Sequence, residues 1–223
     1  MSLTLFPVFD FLIALKSNND RTWFNEHKDQ YEKAHFSMIN FAEALLAEMR
    51  SHDSISTVSG KKSLYRIYRD VRFSKNKLPY KCSWSGSFKR ATTSLRGGYY
   101  YHIEPTNSFL AGGFFDPSPA DLKHIRNQID QDDGSLREVL ASEPLKSYFG
   151  GLNGNQVKIV PKGFAKDNPA IDLLRYKQFI LTHHFSDQEV LGKDLHLKLS
   201  DGFRKLRPFF DLMSDYLTTD LNG

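Results

Sequence analysis

The chain has 223 residues, 40% of them apolar and 25% charged, an ordinary globular composition that excludes collagen, coiled coil and wholesale disorder. Net charge is +4, and a single cysteine, Cys82, excludes an internal disulfide and a Cys-rich zinc site, which fits a reducing compartment. Thirty aromatic residues, 18 Phe, 10 Tyr and 2 Trp, must be packed in a core or displayed on a surface.

The apolar N-terminus carries Pro7 and Asp10 and has no basic flank, so an amphipathic helix over 5–15 is expected there rather than a secretion signal. Asp20 is placed to cap the next helix, in which Trp23, Phe24, His27 and Tyr31 recur at helical spacing. The pattern resumes at Met38, Phe41, Leu45 and Met49, giving helix to about Arg50, and the serine-rich stretch 52–60 reads as loop. From Leu64 to Phe73 apolar and polar residues alternate, which predicts a strand with one polar face, although a helical spacing also fits. A turn over Lys75–Pro79, an extended segment over 82–90 and two aromatic strands, 99–104 and 108–115, predict an antiparallel meander. Helices are expected from Ser118-Pro119 to about Ile129, over 135–141, from Pro144, and from Asn168-Pro169 to Leu174. Strands are expected over 156–161 and 176–185, then a capping box at Ser186–Glu189 and a last helix over 195–217 bent at Pro208. The result is an α+β fold, one domain over 1–223, with a central antiparallel sheet flanked by N-terminal and C-terminal helices. No stretch approaches ~18 uninterrupted apolar residues, so no membrane span is expected.

The charge is uneven. Between Lys61 and Arg96 stand eleven basic residues and one acid, Asp70, so this window carries +10 and the rest of the chain −6. Such a concentration is offset by acids elsewhere in the fold or by an anionic partner. Within it, Arg66, Asp70 and Arg72 would share one face of a strand, and Arg69 would point among apolar side chains and need an acid, Glu104 or one on the long helix. Guanidinium forks suit a phosphate or carboxylate group, so Arg66, Arg69, Arg72, Lys75, Lys77 and Lys81 are candidate ligand-binding residues. The tyrosines near them, Tyr101 included, interleave aromatics with the basic window.

His102 and Glu104, two apart on a strand, face one side and suit a general base and its orienter, with Asp70 a third candidate catalytic residue. No H-E-x-x-H, Walker or G-x-S-x-G pattern occurs, His183 and His184 point to opposite strand faces, and no metal or cofactor is expected. Gly112-Gly113 inside a strand marks a bulge or a close approach of another backbone or a ligand.

Arg66-Ile-Tyr-Arg69-Asp70-Val-Arg72-Phe73-Ser-Lys-Asn-Lys-Leu-Pro79-Tyr80-Lys81 closely resembles the signature of the DUF2461 family. Asn19-Asp-Arg-Thr-Trp23-Phe24, Tyr101-His102-Ile-Glu104-Pro105, Lys162-Gly163-Phe164 and Asp172-Leu-Leu-Arg175-Tyr-Lys177 resemble it too. Thr22 stands where the family usually has an acid. The resemblance implies a cytoplasmic one-domain protein whose signature is the basic segment, and it implies no activity, substrate or cofactor. Three readings follow. The first is a site for a small anionic molecule, with acid–base chemistry. The second is a nucleic-acid-binding module built on 61–96. The third is an interaction protein whose arginines are paired internally.

Overall fold

The computed structural model describes residues 3–219. Helix formation follows caps and apolar spacing. Helix α1 (Phe6–Ser17) starts with a proline in its first turn, where the missing N–H has no intrahelical partner to lose. Asp20 caps α2 (Arg21–Glu26), its side chain accepting from the Trp23 N–H at 2.9 Å. In α3 (Lys28–Arg50) the buried residues Ala34, Met38, Phe41, Ala42, Leu45, Leu46 and Met49 recur every three or four positions. A short turn, α4 (Gly60–Ser63), follows at the end of the stretch expected to be loop.

Four strands come next: β1 (Trp84–Lys89), β2 (Gly98–Ile103), β3 (Ser108–Phe114) and, much later, β4 (Phe179–Phe185). They form one antiparallel sheet in the order β1-β2-β3-β4, so the fold is α+β with a central sheet. Between β3 and β4 lie α5 (Pro119–Gln131, capped by Ser118), α6 (Gly134–Ala141), α7 (Glu143–Phe149) and α8 (Ile171–Leu174). After β4 come α9 (Asp187–Val190), with the Ser186–Glu189 capping box formed, α10 (Leu195–Lys205) and α11 (Arg207–Thr218).

By their contacts the residues fall into two compact units. The first comprises Met1–Phe88, Tyr100–Leu110 and His184–Asp201, and its core gathers Phe11, Phe24, Phe41, Trp84, Phe88 and Tyr101. The second comprises Lys89–Tyr99, Ala111–His183 and Gly202–Gly223, with Tyr99, Phe114, Phe203, Phe209 and Phe210 at its centre.

Three sequence expectations are corrected. The stretch from Leu64 to Phe73 is not a strand. It pairs with β1 and the chain just before it only at Leu64↔Gly86 and Tyr68↔Tyr80. Four steps on one side face six on the other between those bridges, so the register slips by two at the bend Cys82–Ser83 and no continuous ladder can form. The stretch 156–161 is likewise no strand, Gln156 alone bridging Tyr176. The last helix is two, because Pro208 has no N–H to return to the preceding turn; α10 stops at Lys205 and α11 starts with Pro208 in its first turn.

Candidate functional site

The first unit holds every candidate residue named from the sequence. Backbone bonds fix the slipped ribbon: Tyr65 N–H to the Ser85 carbonyl (2.9 Å), Arg69 N–H to Pro79 (2.9 Å) and Lys81 N–H to Ile67 (2.8 Å). Asn19 clamps its bend, donating to the Tyr80 carbonyl at 3.0 Å and the Cys82 sulfur at 3.3 Å while accepting from the Tyr80 N–H at 3.1 Å. The Tyr80 ring stacks on Phe24 with centroids 4.0 Å apart, which anchors this polar ribbon to the core.

Two residues of the ribbon face and hold each other. Arg72 donates through Nε to Asp70 Oδ1 at 3.0 Å and through Nη2 to Oδ2 at 2.6 Å, so its fork is already occupied. The Arg72 hydrogen bonds hold the Asp70 carboxyl below the usual carboxylate range. Asp70 therefore shares no bond with His102 or Glu104. Lys77 donates to the Val71 carbonyl at 3.0 Å and closes the turn, while Lys75 is exposed.

Arg66, Arg69 and Lys81 are different. Arg69 is half-exposed rather than sunk among apolar groups, and neither Glu104 nor an acid of α3 pairs with it. Among the described residues no carboxylate bonds to any of these three cations. Lys81 is half-buried, and that burial, followed by the charges of Arg66 and Arg69, holds its ammonium below the usual lysine range. Its Nζ lies 5.8 Å from the centre of the Tyr65 ring.

Two further arginines of the basic window are neutralised in the second unit. Arg90, its side chain fully buried, donates to Asp211 at 3.0 Å and to the Arg96 carbonyl at 3.1 Å. Arg96 meets Asp121 at 2.8 Å. Among the described residues Arg66, Arg69 and Lys81 thus stay without a hydrogen-bonded carboxylate on the ribbon, while Lys61, Lys62 and Lys75 carry their charge exposed.

From Tyr65 a line of polar and aromatic groups crosses the half-buried sheet face. The Tyr65 hydroxyl shares a hydrogen bond with Ser87 Oγ (2.9 Å), and its ring lies 6.4 Å from that of Tyr100. The Tyr100 hydroxyl is 3.2 Å from His102 Nδ1, and His102 Nε2 is 3.0 Å from Glu104 Oε2. An ionised carboxylate only accepts, so Nε2 carries the proton towards Glu104, and in the neutral ring Nδ1 accepts from the Tyr100 O–H. Asn107 also donates to Glu104 at 3.0 Å, and Phe109 stacks on the His102 ring at 4.9 Å. Burial alone would raise the Glu104 carboxyl, but the hydrogen bonds from His102 and Asn107, with the charges of His102 and Lys16, outweigh it and leave the group below its ordinary range. Burial chiefly raises Tyr100, which stays a proton donor at neutral pH.

The expected pairing of His102 with Glu104 is formed. Tyr101, in contrast, belongs to the core. It is fully buried, its hydroxyl donates to Ser63 Oγ at 3.0 Å because Ser63 gives its own proton to the Gly60 carbonyl, and burial raises its pKa well beyond the usual phenol range. The tyrosines on this line are Tyr100, a member of the tyrosine run the sequence places beside the basic window, and Tyr65, which the sequence did not mark. Two-residue alternation along β2 was the available signal: it sets Tyr100 beside His102 and turns Tyr101 away.

Among the described residues no group of His, Cys, Asp and Glu side chains could hold a metal ion, and no helix is long and apolar enough to cross a membrane. His183 Nδ1 donates to the Tyr148 carbonyl at 2.7 Å, and the His184 ring lies 5.4 Å from Phe109.

These features define an α+β protein with a basic ribbon beside a Tyr-His-Glu line on an open sheet face. The chain belongs to the family described as Conserved hypothetical protein (DUF2461), whose model matches residues 7–212. No curated protein and no solved structure matches it.

Proposed function

We propose that this protein binds a small phosphate- or carboxylate-bearing molecule over Arg66, Arg69 and Lys81, with Tyr100 as a proton donor to it. One observation carries the reading: three cations share a ribbon, close enough for two to depress the third, and among the described residues no carboxylate hydrogen-bonds to any of them, Asp70 reaching Arg66 through its charge alone. Like charges held together disfavour the unliganded state, and an oxyanion relieves that repulsion while accepting charge-assisted hydrogen bonds. Tyr65 lies between the cations and Tyr100 and offers a ring on which the body of a ligand can stack. With His102 protonated and that imidazolium stabilised by Glu104, Nδ1–H would return to Tyr100 the proton that Tyr100 gives to the ligand, leaving a neutral imidazole.

Titration calorimetry with inorganic phosphate tests this. Arg69→Gln should weaken binding about tenfold or more, since hydrogen bonds to charged groups contribute about 1.5–3 kcal/mol. Arg72→Ala should change it less than about twofold, because Asp70 already occupies that fork. Equal phosphate affinity in wild type and Arg69→Gln, or none in either, sinks the proposal. A nucleic-acid module would instead show affinity for oligonucleotides that collapses with added salt.

A second prediction concerns pH, with sulfate as a probe that stays fully ionised. Lys81 is depressed, so it loses its charge at lower pH than an ordinary lysine. Sulfate affinity should fall on the alkaline side as Lys81 deprotonates, by about tenfold when one charged donor of three is lost. Lys81→Arg, which stays charged, should flatten that limb. Identical alkaline limbs in the two proteins would show that Lys81 is not part of the site.

A further inference from the structure

The second unit contains an open depression of about 520 Å³ that the proposed site does not involve. Its size is that of a small-molecule pocket. Helices α6 and α7, the turn after α7 and the end of α8 line it. Leu140, Leu152 and Leu173 give it an apolar wall.

Three cations reach the depression: Arg137, Lys146 and Arg175. Arg137 is neutralised. It donates to Asp133 at 2.7 Å and forks Asp172 at 2.7 and 3.1 Å, and those bonds hold its guanidinium far above the usual range. Arg175 is not. Its Nε is buried without an acceptor, and no described group accepts from its terminal nitrogens. A buried donor left without an acceptor is destabilising, so an arginine in this state needs a reason. Its backbone is fixed on both sides. Arg126 donates to the carbonyls of Leu174 (2.8 Å) and Tyr176 (3.1 Å), and the Arg175 carbonyl accepts from Val157 N–H at 2.9 Å. The guanidinium is therefore presented from a rigid turn. Lys146, exposed in the last turn of α7, adds a second charge with no ion pair among the described residues.

We infer that this depression is a second binding site, for a small organic monocarboxylate with an apolar body. A guanidinium edge matches the two oxygens of a carboxylate, and Arg175 lines the depression with no described protein acceptor on its guanidinium. Lys146 supplies the further charge, and the leucines take the hydrocarbon. The single unneutralised guanidinium with an apolar wall fits a carboxylate on a carbon skeleton better than a multiply charged phosphate.

Ligand-observed NMR and calorimetry with butyrate, hexanoate, octanoate and benzoate provide the test, with hexanamide as the neutral control. At least one carboxylate should bind to the full-length protein, hexanamide should not, and Arg175→Gln should weaken binding tenfold or more. Lys146→Glu, at an exposed position that leaves the fold alone, should weaken it by a similar factor and decides the matter should Arg175→Gln fail to fold. Arg69→Gln should leave this binding unchanged, which separates the two sites. Binding by none of the four carboxylates, equal binding of hexanamide, or affinity indifferent to Lys146→Glu would each overturn the inference.

Discussion

Gly113→Ala is expected to destabilise the protein by about 3–5 kcal/mol. Two costs add. At φ +144° the residue sits where side chains other than hydrogen are strained, about 1–3 kcal/mol for a non-glycine residue. A Cβ there would also lie 2.0 Å from the Phe179 carbonyl oxygen and 2.9 Å from the Ile180 Cα, both backbone atoms of the neighbouring strand that cannot step aside singly. Overpacking of this kind costs another ~1–3 kcal/mol. For a chain of this length the midpoint of thermal unfolding should fall by roughly 10 °C. Gly112→Ala is the control. Its Cβ would meet the tip of the Leu206 side chain at 2.2 Å, a flexible end that can turn away, so the loss should be clearly smaller. A Gly113→Ala protein that melts within a degree or two of wild type would mean that β3 and β4 are not paired in this register.

The glycine pair also shows what a sequence can and cannot carry. A doublet inside an apolar strand leaves a bulge, a ligand or another backbone open, and here the backbone of β4 comes close to Gly113. Which backbone depends on β4, some 65 residues later, and no local pattern names it. The meander, the caps at Asp20, Ser118 and Ser186 and the apolar stripe of α3 were legible because each is a local rule about spacing or a terminal N–H. The segment around Arg66 was misread for the opposite reason. Its alternation is real, but the partner chain bends at Cys82–Ser83, and a register slip belongs to the pair of segments, not to either one.

The candidate site was legible in part for the same reason. His102 and Glu104 stand two apart on one strand, so their meeting is local. Choosing Tyr101 beside them broke the alternation that made the pair recognisable; Tyr100 satisfies it. Charge counting located the basic window but could not divide it. Asp211 and Asp121, far along the chain, neutralise Arg90 and Arg96, whereas Asp70, two residues away, takes Arg72. Which arginines keep no carboxylate partner among the described residues is set by tertiary contacts, and Arg66 and Arg69 keep none.

Trp84→Ala should cost about 3–5 kcal/mol, the range for deleting a large buried aromatic side chain. The indole is 1% exposed and is surrounded by rings: Phe11 at 5.8 Å, Tyr31 stacked at 5.9 Å and His35 at 6.3 Å. These come from α1 and α3, so one side chain at the start of β1 joins two helices to the strand. Aromatic pairs add about 0.5–1.5 kcal/mol each beyond the area they bury, and the helices cannot close over the missing indole without breaking their own contact. The change reaches the basic ribbon as well. Ser85, the next residue, accepts the Tyr65 N–H, and Tyr65 lies under Lys81. Trp84→Ala should therefore lower the thermal midpoint by roughly 10 °C and, below that midpoint, weaken sulfate binding, whereas Trp84→Phe, which keeps a ring in place, should recover most of both. Loss of stability with sulfate affinity intact would show that the ribbon is held by Asn19 and the Tyr80–Phe24 stack alone, independently of the ring cluster beneath β1.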